Sequence, residues 1–455
     1  MGGFHSYYRP KRTKIKKAEG VPAGITGAGP VIIAAVSALL FGSVEYWAVA
    51  LVAALAAAFF ISKMLFTAGP GAVLPREVLL SAAALSAYPL FQMVPLPAFI
   101  IALLQPRTIS LSAVGPGAAP AFHSISLYVF PTEMALARLI VYLMVFFMAA
   151  LLPWQGRAVT GVLKSLSGFG FALALFGIVQ SVTGNGKLYW LRPLSHGGSP
   201  FGPFVDRDHF AGYINMIIPI SLAVSLASRR TEKKMLFAFF SLIMTFSVFL
   251  TLSRGGVISF IAGLAVFTTM LFSKRKAGKN PKWNFFALPA VFAIMLLSLV
   301  LYAGISPLME RFSAGGISDS QRILAWKGTL AALKDFPVFG TGLGTFQYVF
   351  TLFHPAGLHH FWDHAHNDYL EFLLEEGAAG TLTGAFFIFS VLRGAFGRQW
   401  EGKQAYLQAG FASSLATIGV HSLVDFNLHI PSNAILFFMV MGLALAARRG
   451  QGQKN

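Results

Sequence analysis

Apolar runs of 17 or more residues recur from one end of this chain to the other, and that feature leaves few folds open. Each run is long enough to cross a hydrocarbon core of about 30 Å. The runs are continuous and do not alternate, so a β-barrel, which shows only every second residue to lipid, does not fit. Only 11% of the 455 residues are charged and 56% are hydrophobic, whereas soluble domains carry roughly 25% charge. The expected fold is all-α: a polytopic transmembrane helical bundle.

The runs place spans near 27–43, 46–64, 77–94, 132–152, 163–183, 210–228, 235–252, 255–273, 285–304, 368–392, 404–424 and 430–447. That makes about twelve and puts both termini on one side. The net charge of +18 could suggest nucleic acid. Topology explains it better. With the N-terminus inside, most of the 35 lysines and arginines fall in inside segments such as "RRTEKK" and "KRKAGKNPK". No nucleic-acid partner is expected. The basic stretch "RPKRTKIKK" before the first run resembles a secretory signal and is read as a retained start-transfer anchor. No cysteine is present, so thiol and disulfide chemistry are excluded.

This divides the chain into a basic tail (1–26), spans one to nine (27–304), a large outer loop with one amphipathic helix (305–367), spans ten to twelve (368–447) and a short tail (448–455). The loop helix is expected over 318–336. Ser318, Asp319 or Ser320 would cap it, Ile323, Trp326, Leu330 and Leu333 would form its apolar face, and Pro337 follows its end. Trp326 suits a lipid–water interface. The start of segment 95–131, "VPLPAFIIALLQP", is too short to span and reads as an interfacial helix. The Gly-rich "FGTGLGTF" (339–346) follows no strand, so it is either an ordinary turn or a phosphate cradle.

"DHAHNDYLEFLLEEG" (363–377) stands out in a chain that avoids charge, because it holds two histidines and five carboxylates at the mouth of span ten. Asn367 and Asp368 suit a helix start. Glu371, Glu375 and Glu376 fall deeper, where an ionised group costs roughly 2.5–3.5 kcal/mol. That face is expected to line a wet cavity. His359, His360, Asp363, His364 and His366 could instead be metal ligands, but neither an HExxH motif nor zinc-type spacing is present. Arg254, in "TLSRGG", either snorkels to headgroups or meets a ligand beside Gly255–Gly256. Arg322, near the start of the loop helix, opposes the helix dipole unless an anion binds there.

His366–Asn367, nine residues, then "GAAG" fits the H-[NSQ]-x9-G-x-x-[GTY] signature of O-antigen ligases and related polymerases. "QMVPLP", "NGKLYW…FGPFVDRDHFAGY", "LSRGG", "QRILAWKGTLAALKDFPVFGTGLGTF" and "VDFNLHIPSNA" are similar to the same family in the same order, over roughly 85–450. "VDRDHF" departs from the "VNRNHF" common among relatives, which affects Asp206 and Asp208. The resemblance implies a GT-C-like, metal-independent glycosyltransferase without cofactor, in the bacterial inner membrane with its active site facing the periplasm. Its donor would be a glycan on undecaprenyl pyrophosphate. Its acceptor would be lipid A–core sugar in a ligase, another glycan in a polymerase, or a protein in an O-oligosaccharyltransferase. The family's essential residues correspond to Arg254, Arg322 and His366, with Asp425 a further candidate. Asn367, Asp368, Glu371, Arg207 and His209 are candidate substrate contacts. His366 would act as base and the arginines as a pyrophosphate clamp, with Asp363, Asp368 or Glu371 orienting the imidazole. A polysaccharide transporter is the competing class, disfavoured because related halves are missing. An intramembrane metallohydrolase is disfavoured by the missing metal motif.

Overall fold

The computed structural model describes residues 23–66, 73–112, 120–153, 158–194, 198–272, 316–359, 361–397 and 402–449. In chain order its helices are α1 (Ala23–Leu39), α2 (Tyr46–Phe66), α3 (Arg76–Met93), α4 (Ala98–Leu104), α5 (Pro106–Ser112), α6 (Val129–Ala150), α7 (Ala158–Thr183), α8 (Arg207–Ala227), α9 (Thr231–Leu250), α10 (Arg254–Phe272), α11 (Gly316–Asp335), α12 (Phe346–Val349), α13 (Asp368–Phe396), α14 (Gln404–His421) and α15 (Pro431–Arg449). The strands among the described residues are β1 (Leu96–Pro97) and β2 (Phe122–His123), paired antiparallel.

Eight of these helices, α2, α6 to α10, α13 and α15, are long and apolar enough to cross a membrane. The chain is a polytopic helical membrane protein. Expected spans also coincide with α1, which is shorter, and with α3 and α14, which are more polar. The expected span 285–304 lies outside the described residues. Segment 95–112 holds two short helices rather than one.

Two helices form the centre. α8 packs against α7, α9, α10 and α14, while α15 packs against α6, α13 and α1. Both are buried along most of their length. By contrast α2 turns Leu51, Ile61, Met64 and Leu65 outward, as a lipid-facing helix does. Polar caps fix where two helices begin. Asp206 Oδ1 accepts the Asp208 amide at 2.7 Å, and Asn367 Oδ1 accepts the Leu370 amide at 3.0 Å.

α13 is not one continuous helix. Gly377 sits at φ 62°, ψ −174°, a conformation only glycine tolerates well. At this break segment 337–342 pairs with the helix backbone. Ala378 and Ala379 amides donate to Pro337 and Val338 carbonyls at 2.9 Å, and Thr341 and Gly342 amides donate to Leu374 and Glu375 carbonyls at 3.0 and 2.9 Å. Gln92, from the "QMVPLP" stretch, completes the joint. Its Nε2 donates to Phe339 and Glu375 carbonyls at 3.0 and 2.9 Å, and its Oε1 accepts the Leu343 amide at 3.2 Å. The glycine-rich stretch is therefore a docking turn.

This joint overturns the wet-cavity expectation. Glu371, Glu375 and Glu376 are each 1% exposed. Glu375 accepts the Phe346 amide at 2.9 Å, and Glu376 sits beside the Tyr88 ring. Glu375 and Glu376 are covered because the loop closes over the break, whereas Glu371 is covered by His364, Ala365 and His429. The loop helix also begins two residues before the expected start, at Gly316, so Ser318, Asp319 and Ser320 lie within it and Arg322 falls in its second turn.

Candidate functional site

The site forms where α8, α10, α13 and the turn before α15 meet the 363–367 segment. Asp425 is at its centre. Its Oδ1 lies 3.3 Å from His366 Nδ1, its Oδ2 accepts Asn427 Nδ2 at 3.1 Å, and the Nε2 atoms of His209 and His421 approach Oδ2 at 3.9 Å. The His366 contact is close but not aligned as a regular hydrogen bond. Burial alone would raise the Asp425 carboxyl, yet the nearby His366, His209 and His421 imidazoles hold it well below the usual carboxylate range. Asp425 is thus a carboxylate facing three imidazoles.

Of the carboxylates expected to orient His366, Asp368 and Glu371 contact other histidines, and Asp425 occupies that position. The backbone at His366 has φ +51°, rare for a residue with a side chain. Phe426 packs beside His209, His364 and His366, with ring centroids 4.7, 4.2 and 4.7 Å away.

Both arginine-bearing helices reach the same corner. Arg322 Nη1 donates to the Val424 carbonyl at 3.3 Å. One turn later Trp326 Nε1 donates to the Ala365 carbonyl at 2.9 Å. A single face of α11 thereby grips the residues just before Asp425 and His366. Arg254 opens α10, and a Cβ built on the adjacent Gly255 would lie 2.8 Å from His421 Nε2 and 3.1 Å from Val424. The start of α10 and the second turn of α11 therefore flank Val424.

The remaining candidates divide. His209 belongs to the Asp425 cluster. Arg207 opens α8, with its amide donating to the Ser199 carbonyl at 2.8 Å. Asn367, Asp368 and Glu371 are buried and already bonded, so they do not present free polar atoms to a substrate. Asn367 caps α13 and donates to the Leu423 carbonyl at 2.9 Å. Asp368 takes His429 Nδ1 at 2.7 Å and the Leu428 amide at 3.0 Å. Glu371 takes His364 Nδ1 at 2.6 Å, the Ala365 amide at 2.7 Å and His429 Nε2 at 3.3 Å. Burial would push the His429 ring down, but the Glu371 and Asp368 carboxylates push it up to about 10. Asp206 is raised above the usual range, first by burial and then by Asp208.

Of the alternative metal set weighed from sequence, His360 lies outside the described residues, and the His359 amide donates to Gln321 Oε1 at 2.8 Å. Another trio, His364, Glu371 and His429, could hold a metal ion. Its 2.6 Å contact is a hydrogen-bond distance, closer than two ligands on one zinc, which stand roughly 3.3 Å apart when each bond is about 2.0 Å. Sequence reasoning missed His421 and His429. The signal was a polar "HSLVDFNLH" between two apolar runs.

A comparison with curated proteins finds no match. Residues 239–384, which carry Arg254, Arg322 and His366, match the family model described as O-Antigen ligase, so that segment of the chain is similar to an O-antigen ligase-related family.

Proposed function

We propose that the protein is a membrane glycosyltransferase of the O-antigen ligase type. It moves a glycan from undecaprenyl pyrophosphate to an acceptor hydroxyl, a lipid A–core sugar, on the periplasmic side of the bacterial inner membrane. The family match supports ligase- or polymerase-type activity in general. The observation that carries the finer reading is the convergence of two arginine-bearing helices, α10 at its start and α11 in its second turn, on Val424, next to the Asp425–His366 pair.

In this reading the acceptor oxygen attacks the anomeric carbon while the bond from that carbon to the pyrophosphate oxygen breaks. The acceptor proton passes to His366 Nε2, and Asp425 stabilises the resulting imidazolium. The pyrophosphate leaves as an anion between the Arg254 and Arg322 guanidiniums. Planar, permanently charged forks suit phosphate oxygens and supply the charge a divalent ion would otherwise bring.

The test is in vitro transfer by purified Arg254→Lys and Arg322→Lys proteins, with and without EDTA. A charge-assisted hydrogen bond contributes roughly 1.5–3 kcal/mol, so each lysine variant should slow turnover about 10- to 100-fold. Chelator should have no effect. Normal activity in both lysine variants, with loss in EDTA and recovery with a divalent ion, would sink the clamp. Polymerase and protein-transferase readings share this chemistry. Gene deletion separates them: an unchanged core with free long chains indicates a ligase, and single repeat units on the core indicate a polymerase.

A further inference from the structure

Beside the His366–Asp425 pair lies a second histidine–carboxylate network that the proposed transfer does not use. His364 Nδ1 stands 2.6 Å from Glu371 Oε1, and the other Glu371 oxygen accepts the Ala365 amide at 2.7 Å. With Nδ1 donating to a buried carboxylate, the neutral ring has its lone pair on Nε2. His429 stands behind Glu371 with both ring nitrogens engaged, Nδ1 by Asp368 at 2.7 Å and Nε2 by Glu371 at 3.3 Å. Of these two imidazoles only His364 retains a ring nitrogen for another partner, and its side chain is 26% exposed. His364 stacks on Phe426 with an interplanar angle of 18°, and His366 meets the same ring nearly at right angles, at 84°. Alternate residues of one short segment thus flank a single aromatic ring.

We propose that His364 recognises the acceptor: its Nε2 accepts a hydrogen bond from the sugar hydroxyl next to the one that His366 deprotonates. This rests on the transferase reading above. A sugar ring offers several hydroxyls of similar reactivity, and one base does not choose among them. Two imidazoles set around one ring hold two oxygens at once, and that determines which oxygen attacks. Glu371 and His429 act through His364. Glu371 is too buried to meet the sugar, and both ring nitrogens of His429 are already engaged, so the two serve to hold the recognising ring.

The experiment measures steady-state transfer to core oligosaccharide purified from the host envelope, together with the linkage position of the product by NMR. His364→Ala should raise the acceptor KM about 3- to 10-fold, the range of one neutral hydrogen bond. It should change kcat less than about threefold, leave the donor KM alone and give mixed linkage positions. His364→Gln, whose amide oxygen reaches the place of Nε2, should restore most of the acceptor KM. Thermal melts of both variants show whether they fold, and the glutamine variant carries the test where alanine does not. An unchanged acceptor KM with a single linkage overturns this role and leaves the transferase reading standing. No transfer by the wild-type protein sinks both, and is seen before any variant is compared. A kcat loss as large as that of His366→Ala assigns His364 to proton transfer instead. Loss of a stoichiometric divalent ion from His364→Ala, by elemental analysis, makes the cluster a metal site and likewise overturns recognition.

Discussion

His366 combines a left-handed backbone, a half-buried ring and a neighbouring carboxylate that burial would otherwise neutralise. Such strain persists only where the surroundings over-determine it, and it clusters at functional sites. His366→Ala should abolish transfer while leaving the melting temperature in detergent nearly unchanged, because the ring closes no structural bond. A melt lowered as far as the activity would make His366 a packing residue. His429 shows the opposite balance. Its ring is bonded on both sides, and its folded value of about 10 lies above the ordinary imidazole value of about 6.5. The folded state therefore binds the proton more tightly. The resulting stability is complete below about pH 6.5 and is lost as pH rises through about 10. Thermal melts between pH 6 and 10 should decline in the wild-type protein and decline less in His429→Gln. Equal slopes would show that this proton does not support the fold. His366, Arg254 and Arg322 were legible because each stands in a short motif. The place of Asp425 was not, since its distance from His366 is set by how α14 turns into α15, and no local pattern encodes that.

At the scale of elements, eleven of the twelve expected spans correspond to helices whose ends differ by a few residues, because long apolar runs specify membrane helices almost alone. The break in α13 was not legible. "LLEEGAAGTL" reads as an unbroken helix, and the groups that satisfy its interrupted backbone come from 337–342 and Gln92, far away in sequence. The same distance explains the error over Glu375 and Glu376, for depth along a helix was visible and the covering loop was not. The joint makes a sharp prediction. A Cβ on Gly377 would stand 2.3 Å from the Val338 carbonyl oxygen, and one on Gly340 would stand 2.2 Å from the Glu375 carbonyl oxygen. Backbone on both sides leaves no soft atom to move. Gly377→Ala should cost at least about 1–3 kcal/mol from its backbone conformation alone, and the clash adds to that. Gly168→Ala, in a helix with open space around it, should be neutral or slightly stabilising. If Gly377→Ala melts with the wild type, the break is not a fixed part of the fold.

The whole molecule brings four helix starts to one place: Arg207 of α8, Arg254 of α10, Asp368 of α13 and, through the Asn427–His429 turn, Pro431 of α15. Helix N-termini carry partial positive charge, so this shared end favours an anion, in agreement with a pyrophosphate donor. The arrangement also constrains the path of the chain. Helices that start at the same membrane face must be separated by odd numbers of crossings. α9 supplies one crossing between α8 and α10, and α14 supplies one between α13 and α15. α10 leaves the site end at Arg254 and reaches the opposite end at Phe272, whereas Arg322 and Trp326 are back beside His366. An odd number of crossings is needed between them, and the sequence expectation of a span at 285–304, outside the described residues, agrees with that requirement. Reporter fusions test this directly. A fusion at Gly316 should report the side on which the site opens, expected to be periplasmic, and a fusion at Gln453 should report the cytoplasm. The C-terminal result follows from α15, which starts at the site and runs away from it through one membrane-length helix. The basic residues that end this helix, Arg448 and Arg449, favour retention inside. If both fusions report the same side, either 285–304 does not cross or α15 does not, and the convergence of the four helix starts could not then lie at one membrane face.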